Sequence, residues 1–189
     1  MPRPRAFDER AVEDAARERF WSHGYARTTM QDLARATGIG NGSLYAAYGS
    51  KIGLFRAVLA QYCGAKVEAV RLALGRGTTP QQAVTSLFHS TIEDCVEQPG
   101  RRGCLLLNTV TEAAADETTL GICRSANADM ERAIADAIRG AEGLAARDVD
   151  LLAAEILVVD QGLIQASRFG ADAGELRAIA ADYCARLPI

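Results

Sequence analysis

Two short helices joined by a glycine-containing turn are predicted between residues 28 and 49, and this pattern constrains the fold most strongly. The stretch MQDLARAT has apolar residues on one helical face. Either Thr28 or Thr29 can cap it, because an amide or acidic residue follows each of them three positions later. Gly38 suits the left-handed end of such a helix. NGSLYAAY then predicts a second short helix, ended by Gly49. This arrangement is typical of a helix-turn-helix, whose second helix enters the major groove of DNA.

A longer string around this pattern resembles a known family. It runs from HGYARTTMQDLA through GI, SLY, the aromatic Tyr48, SK and LF, and the match covers residues 8–56. It is similar to the N-terminal DNA-binding domain of TetR/AcrR transcriptional regulators. The resemblance implies an all-α homodimeric repressor with a three-helix helix-turn-helix domain at residues 1–56. It implies that residues 57–189 form a larger domain for effector binding and dimerisation, and that the operator is pseudo-palindromic double-stranded DNA.

Composition agrees with a helical protein that has a sizeable core. The chain has 189 residues, of which 49% are hydrophobic and only 6% aromatic, a profile that suits packed helices better than sheet. No apolar run approaches the roughly 18 residues that span a bilayer, and MPRPRAF lacks the apolar centre of a signal peptide. Five cysteines without a CxxC pair argue against a disulfide framework and a zinc site. We therefore expect a cytoplasmic protein with no membrane partner, metal or cofactor.

Charge is distributed unevenly along the chain. Residues 1–56 contain nine Lys and Arg against six Asp and Glu, a net charge of +3. Residues 57–189 contain twelve against eighteen, a net charge of −6. A basic N-terminal part on an acidic body suits contact with phosphates by one end only. Arg3 and Arg5, in a proline-broken N-terminal arm, could either reach the DNA or fray.

Candidate DNA contacts fall into two groups. Thr28, Thr29 and Lys51 stand at helix starts, where hydroxyls, backbone N–H groups and a point charge can meet phosphates. The hydroxyl of Tyr45 can also reach a phosphate oxygen, and family members contact the backbone at the matching positions. The groups that face outward near the start of the second helix are Asn41, Gly42, Ser43 and Ala46. Asn41 can hydrogen bond to adenine, and the Ala46 methyl can contact a thymine methyl. We therefore expect few direct base contacts, with DNA shape supplying much of the specificity.

The rest of the chain predicts six further helices, which makes nine in all. The first runs from Lys51 to about Leu74. Its buried side is predicted to consist of Leu54, Phe55, Val58, Tyr62, Ala65, Ala69 and Leu72. Breaks follow at GRGTTP, QPGRRG, GAEGLAARD and GADAG. The penultimate helix is apolar nearly all the way round, so it needs neighbours on every side. Either a second subunit or the rest of its own subunit covers it. The family resemblance favours a dimer interface made by the last two helices, about residues 149–187.

The effector is not defined by the sequence. A small molecule that changes the separation of the two DNA-binding domains would need different affinities for the two states. A candidate effector pocket is formed by polar or aromatic residues predicted to lie within the body helices. They are Tyr62, Phe88, His89, Cys104, Asn108, Thr111 and Glu112. The segment GRRGCLLLN resembles a subgroup with a Gly-Cys-Leu helix start. Some members respond to oxidants or electrophiles through the matching cysteine, here Cys104, and Cys95 is the candidate resolving partner.

Other functions are less well supported by the residues. An enzyme would need a convergent nucleophile, base and oxyanion donors, and two isolated histidines 66 residues apart do not provide them. A helical interaction module that has lost DNA binding would differ by showing no salt-sensitive binding to duplex DNA. We therefore expect no catalytic residue. A DNA-binding regulator is the prediction, with a redox-sensing repressor triggered at Cys104 and a non-DNA-binding module as alternatives.

Overall fold

A computed structural model describes residues 7–112, 116–141 and 145–189 of the chain. Within these ranges the backbone forms α-helices and one 3₁₀ turn at Pro99–Arg101, with no strand. The helices are α1 Glu9–His23, α2 Met30–Thr37, α3 Asn41–Tyr48, α4 Lys51–Leu74, α5 Pro80–Glu97, α6 Leu105–Glu112, α7 Glu117–Ile138, α8 Ala146–Arg168 and α9 Ala173–Ala185. The predicted all-α fold with nine helices is confirmed for this part of the chain. The N-terminal arm with Arg3 and Arg5 lies outside it. So do residues 113–115, which end the helix that CLLLNTVTEAAA predicts.

The chain divides into two compact units. Unit 1 comprises Met1–Cys63 and Leu105–Cys123, and unit 2 comprises Gly64–Cys104 and Arg124–Ile189. Unit 1 therefore contains α6 and the first part of α7 in addition to the N-terminal helices. The boundary predicted at residues 56 and 57 concerns the functional domains and remains a prediction.

Unit 1 is built on the apolar face of α1. Asp8 caps this helix by accepting the backbone N–H groups of Arg10 and Ala11. Val12, Ala16 and Phe20 recur every four residues and are all buried, as one face of an α-helix requires. The Phe20 ring packs edge-on against Phe55 of α4 at a centroid distance of 4.9 Å. The short helices α2 and α3 each contribute one buried leucine to unit 1, Leu33 and Leu44.

Helix α4 contributes residues to both units. Leu54, Phe55 and Val58 are buried as the periodicity predicts. Further along, the predicted buried face is wrong, since Ala65 is exposed, Ala69 is half-buried and Leu72 is 60% exposed. The residues that are buried there are Cys63, Val67, Val70, Ala73 and Leu74. Two apolar stripes overlap on this helix, and the periodicity did not show that the second one becomes the buried one.

Unit 2 is a helical core centred on α5. This helix packs against both α8 and α9. Thr79 caps it by accepting the Gln82 N–H, and Pro80 occupies its first turn. The fully buried side chains of unit 2 include Leu87, Phe88, Ile92, Ile134, Ile138, Ile156 and Leu176. Helix α8 begins at Ala146, inside the segment predicted as a loop, while α9 begins after a capping box formed by Asp172 and Glu175.

Candidate nucleic-acid interface

The two short helices of unit 1 have well-defined ends. Of the two candidate threonines, Thr29 caps α2, because its hydroxyl accepts the Asp32 N–H while the Asp32 carboxylate accepts the Thr29 N–H. Hydrogen bonds from the Thr29 hydroxyl and N–H, then one from Arg35, lower the pKa of the half-buried Asp32 carboxyl. Gly38 ends α2 at φ 69° and ψ 8°, in the left-handed region. Gly40 precedes α3 as its N-cap and makes no side-chain hydrogen bond, so no side chain caps the N–H groups of Asn41 and Gly42 at the start of this helix.

The outward face of α3 is small, polar and uncharged. Gly42, Ser43 and Ala46 are exposed and Tyr45 is 49% exposed, whereas Leu44 is fully buried. Asn41 is half-buried, and its Oδ1 has no hydrogen-bond partner among the described residues. No charged residue occurs in α3. Gly42, Ser43 and Ala46, which are predicted to read bases, therefore face away from the buried Leu44. Asn41 lies three residues before Leu44, close to the buried side of the helix, and its Oδ1 is shielded from solvent.

Two predicted phosphate contacts have structural roles in this structure. Thr28 is fully buried, and its hydroxyl donates to the Gly24 carbonyl at 2.8 Å. The Lys51 ammonium donates to the carbonyls of Tyr25 and Thr28, both at 3.0 Å. It also lies 4.1 Å from the centroid of the Tyr25 ring, within range of a cation–π interaction. Both side chains therefore stabilise the turn of residues 24–29, which leads into α2, and their contact with DNA stays a prediction.

The C-terminal end of α6 contacts the same turn. The Glu112 carboxylate accepts the Tyr25 N–H at 3.1 Å. Gly24 precedes it with φ 77°, and a Cβ built there would lie 2.7 Å from Glu112 Oε2. Only glycine meets both requirements without strain. Glu112 was predicted to line an effector pocket, and its contact with Tyr25 was not predictable, because no local pattern links residues 87 positions apart.

A second contact joins α4 to the start of α7. The Arg56 guanidinium donates to both carboxylate oxygens of Asp116, each at 2.8 Å from Nη2. The Thr119 hydroxyl also donates to Asp116. These hydrogen bonds, the one from Thr119 first and then that from Arg56, lower the pKa of the Asp116 carboxyl. This pair was not predictable either, because Arg56 and Asp116 lie 60 positions apart.

Aromatic rings fill the space between these contacts. Tyr25 lies 4.9 Å from Phe55 and 6.1 Å from Phe20, measured between centroids. Burial raises the pKa of the Tyr25 phenol, with Arg56 opposing the rise and Asp116 adding to it. A cavity of about 10 Å³ remains among Phe20, Trp21, Tyr25, Phe55, Leu105, Asn108, Thr109 and Glu112. Such a space is near the lower limit for a single water molecule and is far too small for an effector.

The predicted effector residues divide between the two units. In unit 1, the Tyr62 hydroxyl accepts the Leu105 N–H at 3.3 Å, Asn108 is half-buried, and Thr111 and Glu112 are exposed. In unit 2, Phe88 is fully buried against the Tyr183 ring, and Cys104 is 6% exposed. His89 is exposed and lines a groove of about 530 Å³ between α5 and α9.

No group of three or more His, Cys, Asp or Glu side chains in the described part of the chain is arranged to hold a metal ion. Among the described helices, none is both long enough and apolar enough to cross a bilayer.

Comparison with known proteins gives a consistent result. The sequence profile of bacterial regulatory proteins of the tetR family matches residues 13–58. The HTH-type transcriptional repressor ComR of Escherichia coli K12 is 32% identical over 186 residues, which cover 94% of this chain and 88% of ComR. The HTH-type transcriptional repressor BdcR of the same organism is 32% identical over 110 residues, covering 57% of this chain and 55% of BdcR.

Solved structures extend the likeness to the whole fold. A cysteine mutant of the TetR family regulator CifR, complexed with 26-base-pair operator DNA, superposes with a TM-score of 0.82 at 31% identity. The match covers 98% of this chain and 100% of CifR. The reduced form of Escherichia coli NemR, 14% identical, shares the fold with a TM-score of 0.79 over 92% of this chain and 93% of NemR. With a helix-turn-helix whose outward face is available and a relative aligned over nearly its whole length, this chain belongs to the TetR family of bacterial transcriptional regulators.

Proposed function

We propose that the chain is a homodimeric transcriptional repressor that binds double-stranded operator DNA through α2 and α3 and is released by a small-molecule effector. The observation that carries this proposal is the exposed face of α3, held outward by the buried Leu44. The curated relative aligned over nearly the whole chain is a transcriptional repressor, and CifR was solved with operator DNA. A regulator of this kind acts in the cytoplasm, where its operator is.

We assign different parts of the interface to different DNA groups. The N–H groups at the uncapped start of α3 and the Tyr45 hydroxyl would meet phosphates. Asn41 would contact adenine, and Gly42, Ser43 and Ala46 would allow a close approach to base edges. Thr29 is exposed beside the start of α2. For Thr28 and Lys51 we propose that the groups act chiefly by stabilising the turn of residues 24–29.

Dimerisation would use α8 and α9. Leu151 and Val158 are 63% and 67% exposed and lie seven residues apart on one face of α8. Phe169 after α8 and Ile179 of α9 are also exposed, at 91% and 49%. Apolar groups of this size exposed together are characteristic of an interface. A two-fold dimer would place two α3 helices on a pseudo-palindromic operator.

For the effector, we propose the groove beside His89 as the binding site. Its volume of about 530 Å³ lies within the usual range for small-molecule sites. His89 is the one member of the predicted set in unit 2 that is exposed. Phe88 and Tyr62 would then act as structural groups rather than as direct ligand contacts.

Cys104 supports a second candidate function, release by an oxidant or electrophile. Cys104 interacts electrostatically with Lys66 of α4, so a cationic side chain lies close to the candidate thiol. Burial raises the pKa of Cys95, the candidate resolving thiol, which disfavours its own thiolate. Wild-type protein and Cys104→Ser should be bound to upstream promoter DNA and treated with N-ethylmaleimide. Release of the wild type alone would establish Cys104 as the trigger, and equal retention would exclude it.

The DNA-binding proposal is tested by fluorescence anisotropy with the upstream promoter DNA at several salt concentrations. We expect binding that weakens steeply as salt rises. Asn41→Ala should reduce the preference for promoter over unrelated DNA by about 1–3 kcal/mol. Ser125→Ala, on an exposed position of α7 in unit 2, is the control and should bind like the wild type. No salt-sensitive binding would instead support the helical interaction module.

A further inference from the structure

Helix α8 carries a carboxyl group in the core of unit 2. Asp160 is 2% exposed, and its Oδ1 has no hydrogen-bond partner among the described residues. The hydroxyl of Thr91, on α5, hydrogen bonds to the carboxyl group. A buried carboxylate with an unsatisfied oxygen is costly, because it loses its hydration without full replacement. Nothing in the proposed DNA or effector contacts uses this residue.

The neighbouring charges compensate Asp160 only in part. Lys66 of α4 forms an ion pair with Asp94 of α5, with 3.1 Å between Nζ and Oδ2. The Lys66 side chain is 14% exposed, whereas that of Asp94 is 53% exposed. One ammonium thus faces two carboxyl groups. If both carboxyl groups are ionised, the cluster holds one uncompensated negative charge in the protein interior.

The electrostatics of the cluster favour a proton on Asp160 rather than loss of the charge on Lys66. Burial raises the pKa of Asp160 to about 6, although the Thr91 hydrogen bond and the Lys66 charge oppose the rise and Asp94 adds to it. Burial alone would lower the pKa of Lys66, but Asp94, Asp160 and Cys104 outweigh it and raise that pKa. Burial also raises the pKa of the Cys95 thiol, on which Lys66, Asp160 and Asp94 all act.

We infer that Asp160 is a proton-binding site of unit 2, occupied under mildly acidic conditions, and that the bound proton stabilises the folded unit. The proton is taken from solution onto the carboxyl group, which becomes neutral and leaves Lys66 paired with Asp94. Thr91, Lys66 and Asp160 belong to α5, α4 and α8, so the site links three helices of the core. Because it lies entirely within unit 2, the inference does not depend on DNA binding.

The sign of the effect follows from linkage. A folded-state pKa above the ordinary value gives stability that is complete below the unfolded pKa and is lost as pH rises through about 6. The carboxyl groups with lowered pKa values, Asp32, Asp116 and Asp172, have the opposite sign. Their stabilisation is lost only below the ordinary value of 3.8. Measurements between about pH 5 and about pH 7.5 therefore separate Asp160 from them.

The test uses the full chain and denaturant unfolding at about pH 5 and about pH 7.5. We expect the wild-type unfolding constant to be about tenfold smaller at the lower pH. Asp160→Asn should abolish most of this difference and make the protein more stable than the wild type at the higher pH. Asp150→Asn, at an exposed position of the same helix, is the matched control and should keep the wild-type pH dependence.

If Asp160→Asn does not fold, the titration of Asp160 can be measured directly in the wild-type protein. The side-chain carboxyl carbon of Asp160 can be followed by NMR in the wild-type protein as pH is varied. A midpoint near 6 supports the site. A midpoint below about 4.5, or an equal pH dependence of unfolding in folded Asp160→Asn, would overturn it.

Discussion

The Glu112 carboxylate accepts the backbone N–H of Tyr25 at 3.1 Å, and Gly24, the residue before Tyr25, leaves no room for a Cβ beside that carboxylate. Helix α6 therefore helps to define the turn that leads into α2. Lys51 holds the other side of the same turn through the Tyr25 and Thr28 carbonyls. The entry to the helix-turn-helix thus depends on residues from both α4 and α6.

Gly24→Ala should destabilise the protein. Alanine would be strained at φ 77° and ψ 161°, and its Cβ would collide with Glu112. We expect the free energy of unfolding to fall by about 1–3 kcal/mol, measured by urea denaturation followed by circular dichroism. Adding Glu112→Ala removes the collision but not the backbone strain, so most of the loss should persist. Full recovery in the double variant would show that the backbone conformation imposes no cost.

Lys51→Met should lower stability, because two carbonyls lose a charged hydrogen-bond donor and Tyr25 loses its cation–π partner. We expect the free energy of unfolding, measured by urea denaturation, to fall by about 2 kcal/mol. The salt dependence of promoter binding then separates the two roles of Lys51. A phosphate contact would reduce the slope of log affinity against log salt by about 1, whereas a purely structural role leaves the slope unchanged. An unaltered unfolding free energy would contradict the structural role.

Asp116→Asn should lower the stability of unit 1 to unfolding at neutral pH, because it removes the ionised partner of Arg56. Since hydrogen bonds lower the pKa of Asp116 below 3.8, its contribution is present above that value and is lost as pH falls through the lowered pKa. The wild type and the variant should therefore converge in stability under strong acid. Asp129→Asn, which removes the partner of Arg132 within α7, is the control. A stability difference that persists in strong acid would argue against the ion pair.

Arg35→Ala should reduce the salt dependence of promoter binding. Arg35 is 79% exposed on α2 and pairs with Asp32 three residues earlier. If Arg35 interacts with a DNA phosphate, the slope of log affinity against log salt should decrease by about 1. Arg132→Ala makes a matched comparison, because Arg132 is 71% exposed in unit 2 and also pairs with an aspartate three residues earlier. Equal effects of the two substitutions would indicate that only net charge matters.

Val158→Asp should dissociate the proposed dimer. A carboxylate on this exposed apolar face would be buried without a partner in the interface. Sedimentation velocity should show monomers, while circular dichroism should show unchanged helix content because Val158 is 67% exposed in the isolated chain. Ser125→Asp adds the same charge at an exposed position of α7 and should leave the dimer intact. A dimeric Val158→Asp protein would place the interface elsewhere.

Local features were predictable because their causes lie within a few residues. The Asp8, Thr29 and Thr79 caps, the left-handed Gly38 and the ends of α4 follow from residues close to each helix end. Where two apolar stripes compete, local pattern was insufficient. On α4 none of the residues predicted as buried after Val58 is buried, and Ala65 and Leu72 are exposed, because the packing of other helices decides which stripe is covered.

The sequence by itself determined the all-α fold, the helix-turn-helix and the family, because helix periodicity, capping and turn residues act over short separations. Only the tertiary structure decided what several functional side chains do. Lys51 serves the turn of residues 24–29, Glu112 contacts Tyr25, and Asp160 is buried beside a lysine that is already paired. The pairs that define these roles come from distant parts of the chain, and desolvation becomes strong only after folding excludes water. Neither condition leaves a local pattern in the sequence.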